Sequence, residues 1–179
     1  YRRKIFEKNK IQIKPVVMFK SKTIKDSQAF FTDFIAGIKQ LTIDTLTTIR
    51  DKSSDEKIHQ IFSYMDAHHI SLDNLIIELK EDFAEDKLIE VNSKEESELK
   101  QIAVNSLESN AYRAVFAVDK LNEGWDVLNL FDIVRLYDTR DSKNGRPGKT
   151  TMREAQLIGR GARYYPFVVN SDEEKRFLR

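Results

Sequence analysis

The chain lacks cysteine, long apolar runs and a large net charge of either sign. Without cysteine it has no disulfide framework, which is compatible with a reducing, cytoplasmic compartment. No apolar stretch is long enough to predict a membrane span, so we expect no membrane partner. The formal net charge is only +1. This positive charge is small for a protein that binds nucleic acid without a partner. A DNA contact should therefore depend on local clusters of charge and on a partner domain.

The composition that remains is ordinary for a soluble globular domain. The chain has 179 residues, of which 40% are hydrophobic and 33% charged, enough to bury one real core. It starts at Tyr1, without an initiator Met or an apolar signal region, so we expect a fragment of a larger protein.

Hydrophobic patterning predicts strands that alternate with helices. After an N-terminal helix we expect strands at residues 12–19, 88–91, 114–118 and 131–137, and helices at residues 26–49, 55–68, 71–85 and 94–107. This alternation predicts an α/β fold with a parallel sheet flanked by helices. The segment of residues 42–86 is longer than a simple crossover connection requires. We therefore interpret it as a helical insertion within one domain, residues 1–179. Residues 138–149, which contain Gly145, Pro147 and Gly148, are expected to form a flexible loop.

Two arginines stand at the end of a helix-like run, in the sequence QLIGRGAR at residues 156–163. Thr150 and Thr151 precede the run and suggest a capped helix start. Arg160 and Arg163 are three residues apart and would share one helix face. A guanidinium offers a planar fork of donors that suits phosphate oxygens, as in an arginine finger. The alternative is that both are surface cations at a helix end, where the helix dipole favours them.

A second motif follows the apolar run at residues 114–118, which predicts a strand covered on both faces. Ligands of open α/β sheets bind at the ends of such strands. The next loop, residues 122–126 with the sequence NEGWD, places a carboxylate near Gly124. Asp126 could there accept a sugar hydroxyl while the backbone lies against a nucleotide or a strand of nucleic acid. The alternative is a simple turn with a solvated Asp126.

Together these segments resemble motifs V and VI of superfamily 2 helicases, in order and in spacing. Their amino-acid sequences, LNEGWDV at residues 121–127 and AQLIGRGARY at residues 155–164, are most similar to those of the restriction (Res) subunit of type III restriction-modification enzymes. Residues 14–23, KPVVMFKSKT, resemble motif IV, the strand that opens the second RecA-like domain. The resemblance therefore implies the second RecA-like domain of a P-loop NTPase helicase.

The resemblance also implies roles for individual residues. It makes Arg160 and Arg163 the catalytic arginines that face the γ-phosphate of ATP. It places Gln156, Gly124 and Asp126 at the nucleotide. Loops of motifs IV and V hold the nucleic-acid backbone in such motors, which implies DNA contacts from a further set: Ser21, Lys22, Asp119, Lys120 and Asn122.

Two parts of such a motor are missing from the sequence. A phosphate loop needs the form G-x-x-x-x-G-K-[S/T], and a following acidic motif holds magnesium. Residues 145–150 resemble this loop. The motif needs a glycine five positions before Gly148, however, and that position is Lys143. Asp55 and Glu56 imitate the acidic motif without a buried strand ahead of them, and a helix start is the better interpretation. We therefore expect the ligands of ATP and Mg²⁺ in a first RecA-like domain outside this sequence.

Two further constellations can be set aside. Asp73, Glu78 and Lys80 have the residue types of a metal-dependent nuclease, but apolar residues at helical spacing place Glu78 and Lys80 on the solvated side of a helix. Three histidines, His59, His68 and His69, lack acidic or cysteine partners at ligand spacing, so we expect solvated or capping side chains and no metal site.

The sequence thus predicts the second motor domain of an ATP-dependent DNA translocase in a type III restriction endonuclease. Its expected partners are double-stranded DNA, the first RecA-like and nuclease domains of the same chain, and a modification methyltransferase subunit. Two alternatives remain open: a non-catalytic RecA-like module that binds nucleic acid or protein, and another superfamily 2 helicase without a nuclease. By itself the fragment should not hydrolyse ATP.

Overall fold

The computed structural model describes residues 1–92, 98–118 and 127–137, together with the backbone of four two-residue strands further along. Six helices are described: α1 (Arg2–Lys8), α2 (Ile24–Lys39), α3 (Ile43–Lys52), α4 (Glu56–Ala67), α5 (Leu72–Asp82) and α6 (Glu98–Asn105). A short 3₁₀ helix spans Glu85–Lys87. The main strands are β1 (Val16–Lys20), β2 (Leu88–Val91), β3 (Ala114–Ala117) and β4 (Leu130–Arg135).

The four main strands form one sheet in the order β2-β3-β1-β4. Each neighbouring pair is parallel. The sheet and its helices confirm the predicted α/β class, because parallel neighbours need crossover connections and the described crossovers contain helices. β1 lies between β3 and β4, so the strand that resembles motif IV is central.

Both faces of the sheet are covered. On one face, α6 contributes Val104 to an apolar cluster with Met18 of β1 and Val115 of β3, all with no exposed surface. On the other face, phenylalanines of α2 pack on Phe116 of β3, with the Phe31 and Phe116 ring centroids 4.9 Å apart. Burial on both sides explains why β3 is apolar at every position.

Helices α3 to α5 occupy most of the segment predicted as an insertion, residues 42–86. α4 and α5 share an apolar cluster around Ile61, Phe62 and Met65, against which Ile5 of α1 also packs. Whether this helical segment is an insertion relative to other RecA-like domains stays a prediction.

One predicted helix is wrong in its extent. Residues 26–49 were expected to form a single helix, but α2 ends at Lys39 and α3 begins at Ile43. The break has a local cause, because the Thr42 hydroxyl accepts a hydrogen bond from the Thr45 amide and caps a new helix. The predicted strand at residues 12–19 also begins later, at Val16, after Pro15, which has no amide to donate.

The expected loop at residues 138–149 contains two short strands. β5 (Ser142–Lys143) and β6 (Arg146–Pro147) pair antiparallel. A second small pair joins β7 (Pro166–Phe167) and β8 (Arg176–Phe177). The helix predicted to carry Gln156, Arg160 and Arg163 lies outside the described residues.

Candidate functional site

Three strand ends meet at the carboxyl edge of the sheet. The Ser21 amide, directly after β1, donates to the Ala117 carbonyl of β3 at 3.0 Å. The Leu136 amide, directly after β4, donates to the Lys20 carbonyl at 2.9 Å. The segments that resemble motifs IV and V therefore leave the sheet from adjacent strands at the same edge, where ligands of open α/β sheets bind.

Ser21 and Lys22, the two predicted DNA contacts in the described part, have different environments. Ser21 is 2% exposed, whereas Lys22 is exposed. The Ser21 amide is already bonded within the sheet, so of the two only Lys22 presents its side chain to a ligand outside the domain. Next along the chain, Thr23 caps α2 by accepting a hydrogen bond from the Asp26 amide at 3.1 Å.

The other predicted site residues lie outside the described residues. They are Asp119, Lys120, Asn122, Gly124 and Asp126 after β3, and Gln156, Arg160 and Arg163. The structure describes the residues on either side of the first group, Val118 and Val127, both of which are buried. The roles predicted for these eight residues stay predictions.

Asn129 anchors the chain where it re-enters the sheet, and sequence reasoning missed it. Its side chain is nearly fully buried, and its Nδ2 donates to the Lys14 carbonyl at 3.0 Å and the Leu107 carbonyl at 2.9 Å. Its own carbonyl accepts from the Val16 amide at 2.9 Å. The available signal was an amide side chain between two leucines just before a predicted strand.

A charge cluster at the opposite, amino edge was also missed. Asp82 of α5 accepts hydrogen bonds from Arg113, which precedes β3, and forms an ion pair with Arg3 of α1. Burial lowers the pKa of Arg113. The signal was an arginine directly before the apolar run at residues 114–118, because a cation there must find a partner when the strand is buried.

The prediction that Glu78 is solvated is only partly right, because its side chain is 30% exposed and forms an ion pair. Its carboxylate is 2.5 Å from the ammonium of Lys4, whose side chain is only 6% exposed. α1 covers this side of α5, which the periodicity of α5 alone could not show. The nuclease interpretation gains nothing, because Glu78 is paired with Lys4 while Asp73 and Lys80 are exposed.

The three histidines are exposed, as predicted. His68 is the C-cap of α4, and its Nδ1 lies 2.8 Å from the Tyr64 carbonyl. His59 Nε2 lies 2.8 Å from the Ser53 carbonyl. Within residues 1–92, 98–118 and 127–137, no group of three or more His, Asp or Glu side chains is arranged to hold a metal ion.

No helix in the described part of the chain is both long and apolar enough to cross a membrane. The class of protein follows from the sheet: four parallel strands covered by helices on both faces are consistent with a RecA-like α/β fold.

Sequence comparison then identifies the relationship. The chain is 33% identical, over 161 residues, to a probable type III restriction-modification enzyme HindVIP Res subunit of Haemophilus influenzae. The alignment covers 76% of this chain and 31% of that relative, so the chain spans about a third of the relative's length. This finding confirms the resemblance inferred from the motifs: the chain is a relative of type III Res subunits.

Two further comparisons were made. A family model described as the HI_1054_N N-terminal region matches residues 150–179, a range that includes Gln156, Arg160 and Arg163. No solved structure matches the chain.

Proposed function

We propose that this chain is the second motor domain of an ATP-dependent DNA translocase in a type III restriction enzyme. The similarity to a Res subunit over 76% of the chain carries the proposal. The sheet supports it, because Ser21 and Val118 directly follow neighbouring parallel strands, β1 and β3, so the motif IV and motif V segments leave the sheet at one edge.

In this proposal Arg160 and Arg163 face a nucleotide held mainly by the first RecA-like domain of the parent protein. ATP and Mg²⁺, when bound there, supply the γ-phosphoryl group and neutralise part of its charge. The two guanidiniums donate hydrogen bonds to its oxygens, an interaction that is strongest when negative charge develops in the transition state. Gln156, Gly124 and Asp126 line the same cleft from this side.

DNA contacts in this proposal involve the backbone and not the bases. Lys22 is exposed beside the end of the central strand, and Lys120 and Asn122 belong to the segment that follows the adjacent strand. Ser21, which is buried, positions this loop through the hydrogen bond that its backbone amide donates to β3. Contacts to phosphates are independent of sequence and weaken with salt, as a translocating motor requires. Cleavage would fall to a nuclease domain elsewhere, and modification to a methyltransferase partner.

The experiment is DNA-stimulated ATP hydrolysis by the full-length parent protein. We expect Arg160→Ala and Arg163→Ala each to lower kcat by about 10³-fold, because each removes a donor used in the transition state. Arg50→Ala is the matched control, since in the part of the chain that the structure describes Arg50 pairs only with its neighbour Asp51 on the surface of α3. Unchanged kcat in both site variants would contradict the motor proposal and favour a non-catalytic binding module.

A further inference from the structure

The amino edge of the sheet, opposite the proposed nucleotide and DNA edge, carries an unusual row of cations. Lys87, Arg113 and Lys14 occur just before β2, β3 and β1, three adjacent strands. The Arg113 amide donates to the Lys87 carbonyl at 2.8 Å, and the Arg113 carbonyl accepts from the Val17 amide of β1 at 3.1 Å. Strand pairing therefore holds Lys87 beside Arg113, and Lys14 lies on the segment that leads into β1, the strand on the other side of β3.

This row borders a cavity of about 810 Å³ between the strand ends and the segment after α1. Its walls include the apolar side chains of Phe6, Ile11 and Ile13. Its charged lining comprises Arg3, Lys10, Lys14, Lys87 and Arg113 against two carboxylates, Glu7 and Asp82. Five cations and two anions leave an excess of three positive charges, which a multivalent anion would balance better than a single carboxylate.

The carboxylates do not compensate the central cations. Asp82 is shared between Arg3 and Arg113, and the buried Nε of Arg113 has no hydrogen-bond partner. Glu7 is shared between Arg3 and Lys4. Among the described residues Lys14 donates to a backbone carbonyl, that of Asn110, and burial together with the charge of Arg113 lowers its pKa to about 8. Clustering these cations therefore costs free energy that a bound anion would offset.

We propose that this cavity is a phosphate-binding site, in which Lys14 and Arg113 hold the oxyanion of a small phosphate-bearing ligand. Lys10 and Lys87 add charge at the mouth of the site, and the apolar wall is available to an organic group on the ligand. The volume is in the range of small-molecule sites. Because the site lies at the opposite edge from Arg160 and Arg163 in the proposed function, it stands or falls independently of the motor assignment.

The test is an NMR titration of backbone amides of this chain with inorganic phosphate. We expect saturable shifts at residues 110–114 and 10–14, with a Kd of roughly 1 mM or tighter. Lys14→Gln should weaken binding by about tenfold, the effect of one charge-assisted contact. Lys52→Gln, an exposed lysine at the end of α3, should not change it. Shifts that do not saturate, or that persist unchanged in Lys14→Gln, would overturn the site.

Two further arms define the ligand and the role of Lys14. If adenosine 5′-monophosphate binds more tightly than phosphate, the apolar wall contacts an organic group of the ligand. If the two affinities are equal, the ligand of the site is free phosphate. Sulfate, whose charge is constant at these pH values, should bind more weakly as the pH rises above about 8, where free Lys14 loses its proton. The other charged groups that line the cavity are Arg3, Lys10, Lys87, Arg113, Glu7 and Asp82. Affinity independent of pH would contradict the role of Lys14.

Discussion

At the scale of single residues, buried polar side chains determine how the loops around the sheet are held. Asn129 is the clearest case, because it bonds both the segment before β1 and the end of the α6 region while exposing almost nothing to solvent. Since the loop after β1 and the segment after β3 both carry predicted site residues, Asn129 is placed to hold their strands in a fixed relationship. It is a positioning residue in this account.

Replacing Asn129 should therefore destabilise the domain. Asn129→Ala leaves the Lys14 and Leu107 carbonyls without their donors, and we expect a loss of about 2–3 kcal/mol in the free energy of unfolding. Urea denaturation of the two proteins measures the difference. Asn105→Ala, at the exposed end of α6, is the control and should change the free energy by less than about 0.5 kcal/mol. Equal effects of the two substitutions would show that the buried amide bonds are not important for stability.

Residue-level prediction worked where the local sequence determines the outcome. The exposure of the three histidines follows from their polar surroundings and was predicted correctly. The environment of Glu78 was not, because the residue that covers it, Lys4, is far away in sequence and belongs to another helix. The cluster of Arg3, Asp82 and Arg113 was missed for the same reason. Each of its members comes from a different element.

At the scale of elements, periodicity found the helices and strands but not every boundary. The predicted helices at residues 55–68 and 71–85 correspond to α4 and α5, and the predicted strand at residues 88–91 matches β2. The break between α2 and α3 was missed because the apolar pattern continues through it. A threonine at position 42 was a local signal for a new helix start.

The capping role of Thr42 can be tested directly. Thr42→Ala removes the hydroxyl that accepts from the Thr45 amide at 3.3 Å, so the first turn of α3 loses a partner. We expect the free energy of unfolding to fall by about 1 kcal/mol, measured by urea denaturation. Thr48→Ala is the matched control, because Thr48 is exposed within α3 and caps nothing. A loss no larger than that of the control would contradict the cap.

At the scale of the whole molecule, topology relates segments that are distant in sequence. Ser21 and Val118 are almost one hundred residues apart, yet they directly follow neighbouring strands. The motif resemblance implied that loops of both motifs contact nucleic acid, and the parallel sheet brings the strands before these loops side by side. The amino-edge cavity could not be predicted in this way, because it arises only when α1, α5 and three strand starts come together.

The central claim is that Arg160 and Arg163 stabilise the transition state of ATP hydrolysis in the parent protein. The most direct measurement compares two affinities in full-length wild type and Arg160→Ala: that of a non-hydrolysable ATP analogue, and that of ADP with aluminium fluoride, which mimics the transferred phosphoryl group. We expect the first to be nearly unchanged and the second to weaken by about 10³-fold. Equal effects on both ligands, or none on either, would contradict the claim.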